Sequence, residues 1–217
     1  IVRKYAPNAI LHTDAVQAAC WIDMREITPL VDVLTLSSHK FGGPKGVGVM
    51  VLKTGKHLEP LILGGGQERD RRSGTHNVAG IIATAKALEV TDSTRVSECE
   101  RVSVMRDRLV DEIRAALDGV LETVPRQHRV PGAAHLCFSG VENEALLFLL
   151  DQVDVCASAA SACASGAMEP SHVLEAMGVE RSWSNGALRL SLGHTTTNAD
   201  IDKAVSAIVS AVNQLRR

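Results

Sequence analysis

Lys40 ends the run Ser37-Ser38-His39-Lys40 and is followed by Phe41-Gly42-Gly43-Pro44, so an apolar stretch, Val31 to Leu36, delivers an amine into a glycine-rich turn. A lysine performs covalent chemistry when its surroundings favour the neutral amine and a carbonyl is held against it, the condition for a Schiff base. Alone beside Gly-Gly-Pro, such a lysine reads as a solvated turn residue. Other residues along the chain change that reading.

Upstream, in Leu11-His12-Thr13-Asp14-Ala15-Val16-Gln17-Ala18, Asp14 closes an apolar stretch and Gln17 follows one helical turn later. A carboxylate paired with a pyridinium nitrogen keeps the ring protonated and able to accept electrons, and an amide at Gln17 can hydrogen-bond a ring hydroxyl. The plainer role for Asp14 is to cap a helix beginning at Ala15, and the two roles are compatible. Arg189 opens a short strand-like run bounded by Gly186 and Gly193, where its planar fork can grip a carboxylate from two sides. An isolated strand arginine reads as one half of an ion pair.

The chain has five cysteines, at 20, 99, 137, 156 and 163, with no Cys-x-x-Cys pair and no signal peptide or long apolar span ahead of them. Disulfide frameworks, zinc clusters and secretion are therefore disfavoured, and reduced cytoplasmic thiols are expected. Cys20 and Cys137 read as small buried hydrophobes, while Cys99 sits in a charged helical stretch. Cys163 lies among Ser161, Ala162, Ala164, Ser165 and Gly166, a composition that favours an accessible loop and a reactive thiolate. A disulfide between Cys156 and Cys163 is not expected.

Five segments in order resemble the cysteine desulfurases, fold-type-I pyridoxal 5'-phosphate enzymes of the class-V aminotransferase family. They are His12 to Gln17, Ser37 to Lys40, Gly64-Gly65-Gly66-Gln67-Glu68 through Arg72-Ser73-Gly74-Thr75, Ser161 to Gly166 with Glu169 to Leu174, and Arg189-Leu190-Ser191-Leu192-Gly193. The resemblance implies that Asp14 and Gln17 contact the pyridine ring and that Lys40 holds the cofactor and moves a proton. It implies that Ser37, His39 and, from the other subunit of a homodimer, Thr75 bind the phosphate. It further implies that Arg189 binds the carboxylate of L-cysteine and that Cys163 takes the sulfur as a persulfide, leaving alanine. The sulfur would pass to an acceptor protein such as an iron–sulfur scaffold, or into tRNA thiolation. The family carries a longer N-terminal part before the point where Ile1 stands, with a phosphate-binding cup and a stacking histidine that match nothing here. Ala159 and Ala160 stand where relatives often carry Ser and Gly. The alternatives are a selenocysteine lyase or another class-V aminotransferase-like enzyme, and a non-enzymatic interaction module.

The elements that must position these residues follow from patterning. Of the 217 residues 45% are hydrophobic and only 3% aromatic, enough for a core built on Leu, Val, Ile and Ala. A net charge of −2 without a basic run excludes nucleic acid as an expected direct partner, and nothing points to a membrane surface or a bound metal. Strands are expected near 9–12, 31–36 and 47–52, with helices near 77–90 and 95–117. The second helix carries an apolar stripe of Val102, Met105, Leu109, Ile113 and Leu117. A strand near 134–139, a helix near 143–151, the Cys163 loop, the Arg189 strand and a final helix capped near Asn198 complete the order. That last helix shows Ile201, Val205, Ile208, Val212 and Leu215 on one face. The fold class is α/β, with residues 1–94 forming the end of a fold-type-I large domain and 95–217 a smaller α+β domain that carries the cysteine loop.

Overall fold

Alternation over residues 34–37 builds the centre of a first sheet: Leu34 and Leu36 are buried on one face, while on the other Thr35 and Ser37 are only half-covered beyond the buried Val33. The computed structural model describes residues 1–159 and 171–217, which divide into two compact units, Ile1–Ser97 and Glu98–Arg217.

In the first unit a short helix, α1 (Val2–Tyr5), precedes β1 (His12–Asp14), which pairs in parallel with β2 (Val33–Ser37); β3 (Gly48–Leu52) pairs antiparallel with the other edge of β2. Asp32 fixes the start of this sheet, because its buried carboxylate accepts the Leu11 N–H at 2.9 Å and meets Arg3 at 2.9 Å. Those partners hold the Asp32 carboxyl down at about 2. The core under the sheet is Ala15, Ala19, Val31, Leu34, Leu36 and Phe41, with Val49 and Val51 packed against it.

The helix expected at Ala15 does not form. Asp14 accepts the Val16 N–H on its own side chain, a local bond that competes with helix propagation, and only a 3-10 turn, Ala18–Cys20, follows. Helix α2 (Met24–Ile27) starts afresh at Asp23, whose side chain accepts the Arg25 N–H. Cys20 is half-buried at the edge of the core rather than inside it. The first strand also lies later than expected, at 12–14, since Leu11 is spent on Asp32.

Two expected helices, 77–90 and 95–117, are one helix of 39 residues, α3 (Val78–Ala116). The Thr-Asp-Ser-Thr stretch at 91–94 reads as a break, yet it holds no Gly or Pro. Ser93 and Thr94 turn their hydroxyls back onto the Val90 carbonyl at 2.9 Å, which lets them stay within the helix. The helix stops before Gly119, which adopts φ +62°.

In the second unit β4 (Val120–Glu122), β5 (Ala133–Phe138) and β6 (Ala187–Ser191) form an antiparallel sheet in that spatial order. Strand β4 is a three-residue element without enough length to announce itself in the sequence. Ala134, Leu136, Phe138, Leu188 and Leu190 are buried on one face of the sheet, and the expected stripe Val102, Met105, Leu109, Ile113 and Leu117 is buried along α3. On the opposite face Cys137 and Ala187 pack with Leu174 of α5 (His172–Ala176) and with Trp183 of α6 (Arg181–Ser184). Helix α4 (Asn143–Asp151) packs along α7 (Asn198–Leu215). Ile201, Ile208 and Val212 of α7 are buried, as their spacing predicts. Its cap is Thr197, one residue before the expected Asn198: Thr197 and Asp200 satisfy each other's backbone N–H groups in a capping box.

Candidate active site

The Lys40 turn sits at the carboxyl end of β2, where the chain leaves the sheet through a 3-10 turn, Ser38–Phe41. Several bonds fix its backbone. The Ser38 N–H donates to the Val47 carbonyl at 3.1 Å and the Gly43 N–H to the Ser38 carbonyl at 3.0 Å. Gly42 takes φ +83°, and a methyl group on Gly43 would stand 2.0 Å from Ser38 Oγ. Helix α3 clamps the turn from two points seven residues apart, hence on one face. Thr84 Oγ1 lies 2.9 Å from the buried Ser38 Oγ, and Thr91 Oγ1 donates to the Phe41 carbonyl at 3.1 Å. On the other side Cys20 Sγ reaches the Lys40 carbonyl at 3.4 Å. The backbone is held while the Lys40 side chain stays exposed.

Strands β1 and β2 are parallel, so Asp14, the last residue of β1, and the Lys40 turn emerge at the same edge of the sheet, and Asp14 pairs in register with Thr35. In open α/β sheets ligands bind beyond the carboxyl ends of parallel strands. Alternation places His12 and Asp14 on the same face as Thr35 and Ser37. His12 Nε2 contacts Thr35 Oγ1 at 3.2 Å and Ser37 Oγ contacts His39 Nδ1 at 3.0 Å, which makes this face a polar stripe opposite the Leu34–Leu36 core. Asp14, Ser37, His39 and Lys40 are thereby brought to one sheet edge. Gln17, expected on a helical turn, lies exposed in the bend after β1. Thr75 is not part of that group: it is exposed just beyond a loop that closes on itself through Ser73 Oγ to the Gly65 carbonyl at 2.7 Å and the Gly74 N–H to Gln67 Oε1 at 3.0 Å.

In the second unit Arg189 occupies the middle of β6 and is half-buried. Its backbone N–H and C=O both pair with Ser158, at 2.7 and 3.1 Å, so the chain leading toward Cys163 is stitched to the arginine strand. Cys163 itself lies outside the described residues. Of the other cysteines, Cys137 is fully buried and burial pushes its thiol up to about 11, which leaves it protonated and unreactive near neutral pH. Cys156 is exposed.

The donors present fit pyridoxal phosphate. An exposed carboxylate suits a ring nitrogen, an amide suits a ring hydroxyl, an amine suits a carbonyl carbon, and a hydroxyl with an imidazole suits a phosphate. Among the described residues no group of three or more His, Cys, Asp or Glu side chains is placed to hold a metal ion, and no helix is long and apolar enough to cross a membrane. Sequence reasoning missed Ser38, Gly43 and Thr84 as the residues that lock the lysine turn. The doubled serine and doubled glycine around Lys40 were the available signal, whereas Thr84 lies 46 residues from its partner and gave none.

Comparison with known proteins gives a consistent set of relatives. The family model described as aminotransferase class-V matches residues 1–204. The cysteine desulfurase of Gluconacetobacter diazotrophicus is 40% identical over 209 residues, covering 96% of this chain and 52% of that protein. The IscS-like cysteine desulfurase of Mycobacterium tuberculosis is 41% identical over 208 residues, covering 95% and 53% respectively. Among solved structures, a NifS-like protein superposes with a TM-score of 0.86 at 32% identity over 98% of this chain and 55% of its own. The chain spans about half the length of the curated relatives it matches.

Proposed function

Because this chain belongs to the class-V aminotransferase family, we propose that it performs the chemistry of a cysteine desulfurase, taking sulfur from L-cysteine as a persulfide and releasing L-alanine with the help of pyridoxal 5'-phosphate. The observation that carries the reading is the convergence of Asp14 and the locked Lys40 turn at the carboxyl edge of the parallel β1–β2 pair. Pyridoxal phosphate, when bound, supplies an electron sink for the pair left behind as an amino acid loses its α-proton.

The chain's own residues have separable tasks in this reading. Asp14 holds a proton on the ring nitrogen, Gln17 donates to the ring hydroxyl, and Ser37 and His39 bind the phosphate together with Thr75 from a second subunit. Lys40 anchors the cofactor through its amine and, once displaced by substrate, takes the α-proton and returns it. Arg189 grips the carboxylate with its fork and so orients the Cα–H bond. The Cys163 thiolate then attacks the substrate sulfur. An S–S bond forms as the Cβ–S bond breaks, its electron pair passes to the carbon skeleton, and that skeleton leaves as alanine after protonation.

A homodimer is supported by the exposed run Leu61, Ile62 and Leu63, of which Leu61 is 99% exposed, near the loop that precedes Thr75. A sulfur acceptor, such as an iron–sulfur scaffold protein, completes the cycle, and the cytoplasm is the compartment that suits reduced thiols. We assign cofactor binding to the segment 1–94 and the cysteine loop to 95–217. The test is Cys163→Ala: protein-bound persulfide formed from L-cysteine disappears, while exchange of the cysteine α-proton with deuterated solvent continues through Lys40. Persulfide persisting on another cysteine contradicts the proposal.

A further inference from the structure

His135 stands directly opposite Arg189 across the β5–β6 pair. Arg189 spends its backbone N–H and C=O on Ser158, and the His135 carbonyl is turned the other way, toward the Thr123 N–H at 3.3 Å. The neighbouring bonds, Phe138 N–H to Gly186 and Leu192 N–H to Gly132, fall on even-numbered positions, at the end of β5 and just before its start. His135 and Arg189 are therefore a non-hydrogen-bonded antiparallel pair, the kind in which facing Cα atoms approach to about 4.5 Å and side chains touch. Both side chains leave the same face of the sheet. On its far side the imidazole is fastened, with Nδ1 at 2.8 Å from Thr123 Oγ1.

We propose that His135 is a positioning residue for Arg189, a wall pinned by Thr123 against which the guanidinium is set to receive a substrate carboxylate. The inference rests on the reading of Arg189 as the carboxylate site. Burial, and after it the positive charge of Arg189, lower the imidazole's affinity for a proton, so His135 is neutral near neutral pH and the pair offers one positive charge. The groups packed on this face farther along the sheet, Leu121, Leu174, Val179 and Trp183, are apolar. Arg189 is thus the charged neighbour that bears on His135 among the described residues. A long arginine side chain loses rotamer freedom when it grips a carboxylate, and a fixed neighbour lowers that cost before substrate arrives.

The experiment uses the intact, pyridoxal phosphate-loaded protein with His135→Ala, His135→Asn and Arg189→Lys. In His135→Ala the KM for L-cysteine rises roughly tenfold with kcat changed less than about twofold, because a looser fork weakens carboxylate binding more than chemistry. His135→Asn, neutral and able to keep the Thr123 bond, restores most of the loss. Independently of turnover, NMR of the histidine-labelled wild type shows the His135 imidazole titrating at higher pH with propionate present than without it, and a smaller shift in Arg189→Lys, since a carboxylate held beside the pair favours the imidazolium. An unchanged KM in His135→Ala, together with a raised KM in Arg189→Lys, overturns the inference and leaves the carboxylate site standing. An unchanged KM in Arg189→Lys overturns the carboxylate reading itself. A loss of kcat and thermal stability in His135→Ala that Asn does not rescue, with KM unmoved, marks His135 as structural and also overturns the inference.

Discussion

The Lys40 turn and the Arg189 strand each hold one side chain of the proposed site, in opposite ways. Lys40 is an exposed side chain on a glycine-containing turn held by two threonine hydroxyls from α3, one on the Ser38 hydroxyl and one on the Phe41 carbonyl. Arg189 is a half-buried side chain on a strand flanked on both sides, by β5, where it faces His135, and by Ser158, which takes its backbone N–H and C=O. In the proposed reading the first arrangement fixes the base while leaving its amine able to exchange partners. The second fixes a fork whose value lies in not moving. On that reading the residue that forms and breaks a covalent bond is carried on a turn, and the residue that orients the substrate is carried on a sheet.

The largest expected effect tests that contrast at the backbone. In Gly186→Ala the new methyl group would stand 2.1 Å from the Phe138 carbonyl oxygen, and neither strand can retreat without losing its ladder. We expect about 3 kcal/mol of destabilisation, read by thermal or denaturant unfolding. Gly43→Ala meets a side chain first, Ser38 Oγ at 2.0 Å, which can rotate away, and the Ser38 carbonyl oxygen only at 3.2 Å. It should cost about 1–2 kcal/mol and weaken pyridoxal phosphate binding more than it lowers stability. Equal costs for the two variants would erase the distinction between a turn locked by side chains and a strand locked by its ladder.

A smaller effect sharpens the turn's side of the comparison. Ser38→Ala removes the buried hydroxyl that meets Thr84 and should cost about 1 kcal/mol by denaturant unfolding. The Thr84 hydroxyl also reaches the Gly80 carbonyl at 2.7 Å and so is not stranded. The loss should therefore appear mainly as weaker cofactor binding, with the KM for L-cysteine unmoved.

The smallest effect is on the strand's side. His135 has a lowered proton affinity in the folded chain, so protonation favours the unfolded state. Stability that is full above the ordinary histidine pKa of about 6.5 should decline as pH falls below it, and His135→Asn should remove that part of the slope in melting temperature. Identical slopes in the two proteins would mean that neither burial nor the charge of Arg189 lowers the proton affinity of His135.

Much of this arrangement was legible in the sequence because it rests on local pattern. The stripe from Val102 to Leu117, the apolar run Val31 to Leu36 and the face of α7 each follow from a pattern that the chain carries within a short stretch. The misreadings share a cause, which is side-chain hydroxyls and carboxylates bonding to the backbone. Asp14 diverted the chain after β1 from helix to turn, while Ser93 and Thr94 kept α3 continuous where a break reads naturally. The facing of His135 and Arg189, 54 residues apart, and the tie between Ser158 and β6 are matters of strand register, which no local signal encodes.

The most direct test of the account is the visible absorption spectrum of the protein with pyridoxal phosphate, recorded beside Lys40→Ala. A band that the wild type shows and Lys40→Ala lacks, with both proteins equally folded by circular dichroism, is the predicted result. An unchanged band in Lys40→Ala, or none in the folded wild type, would contradict the assignment of the turn as a cofactor site.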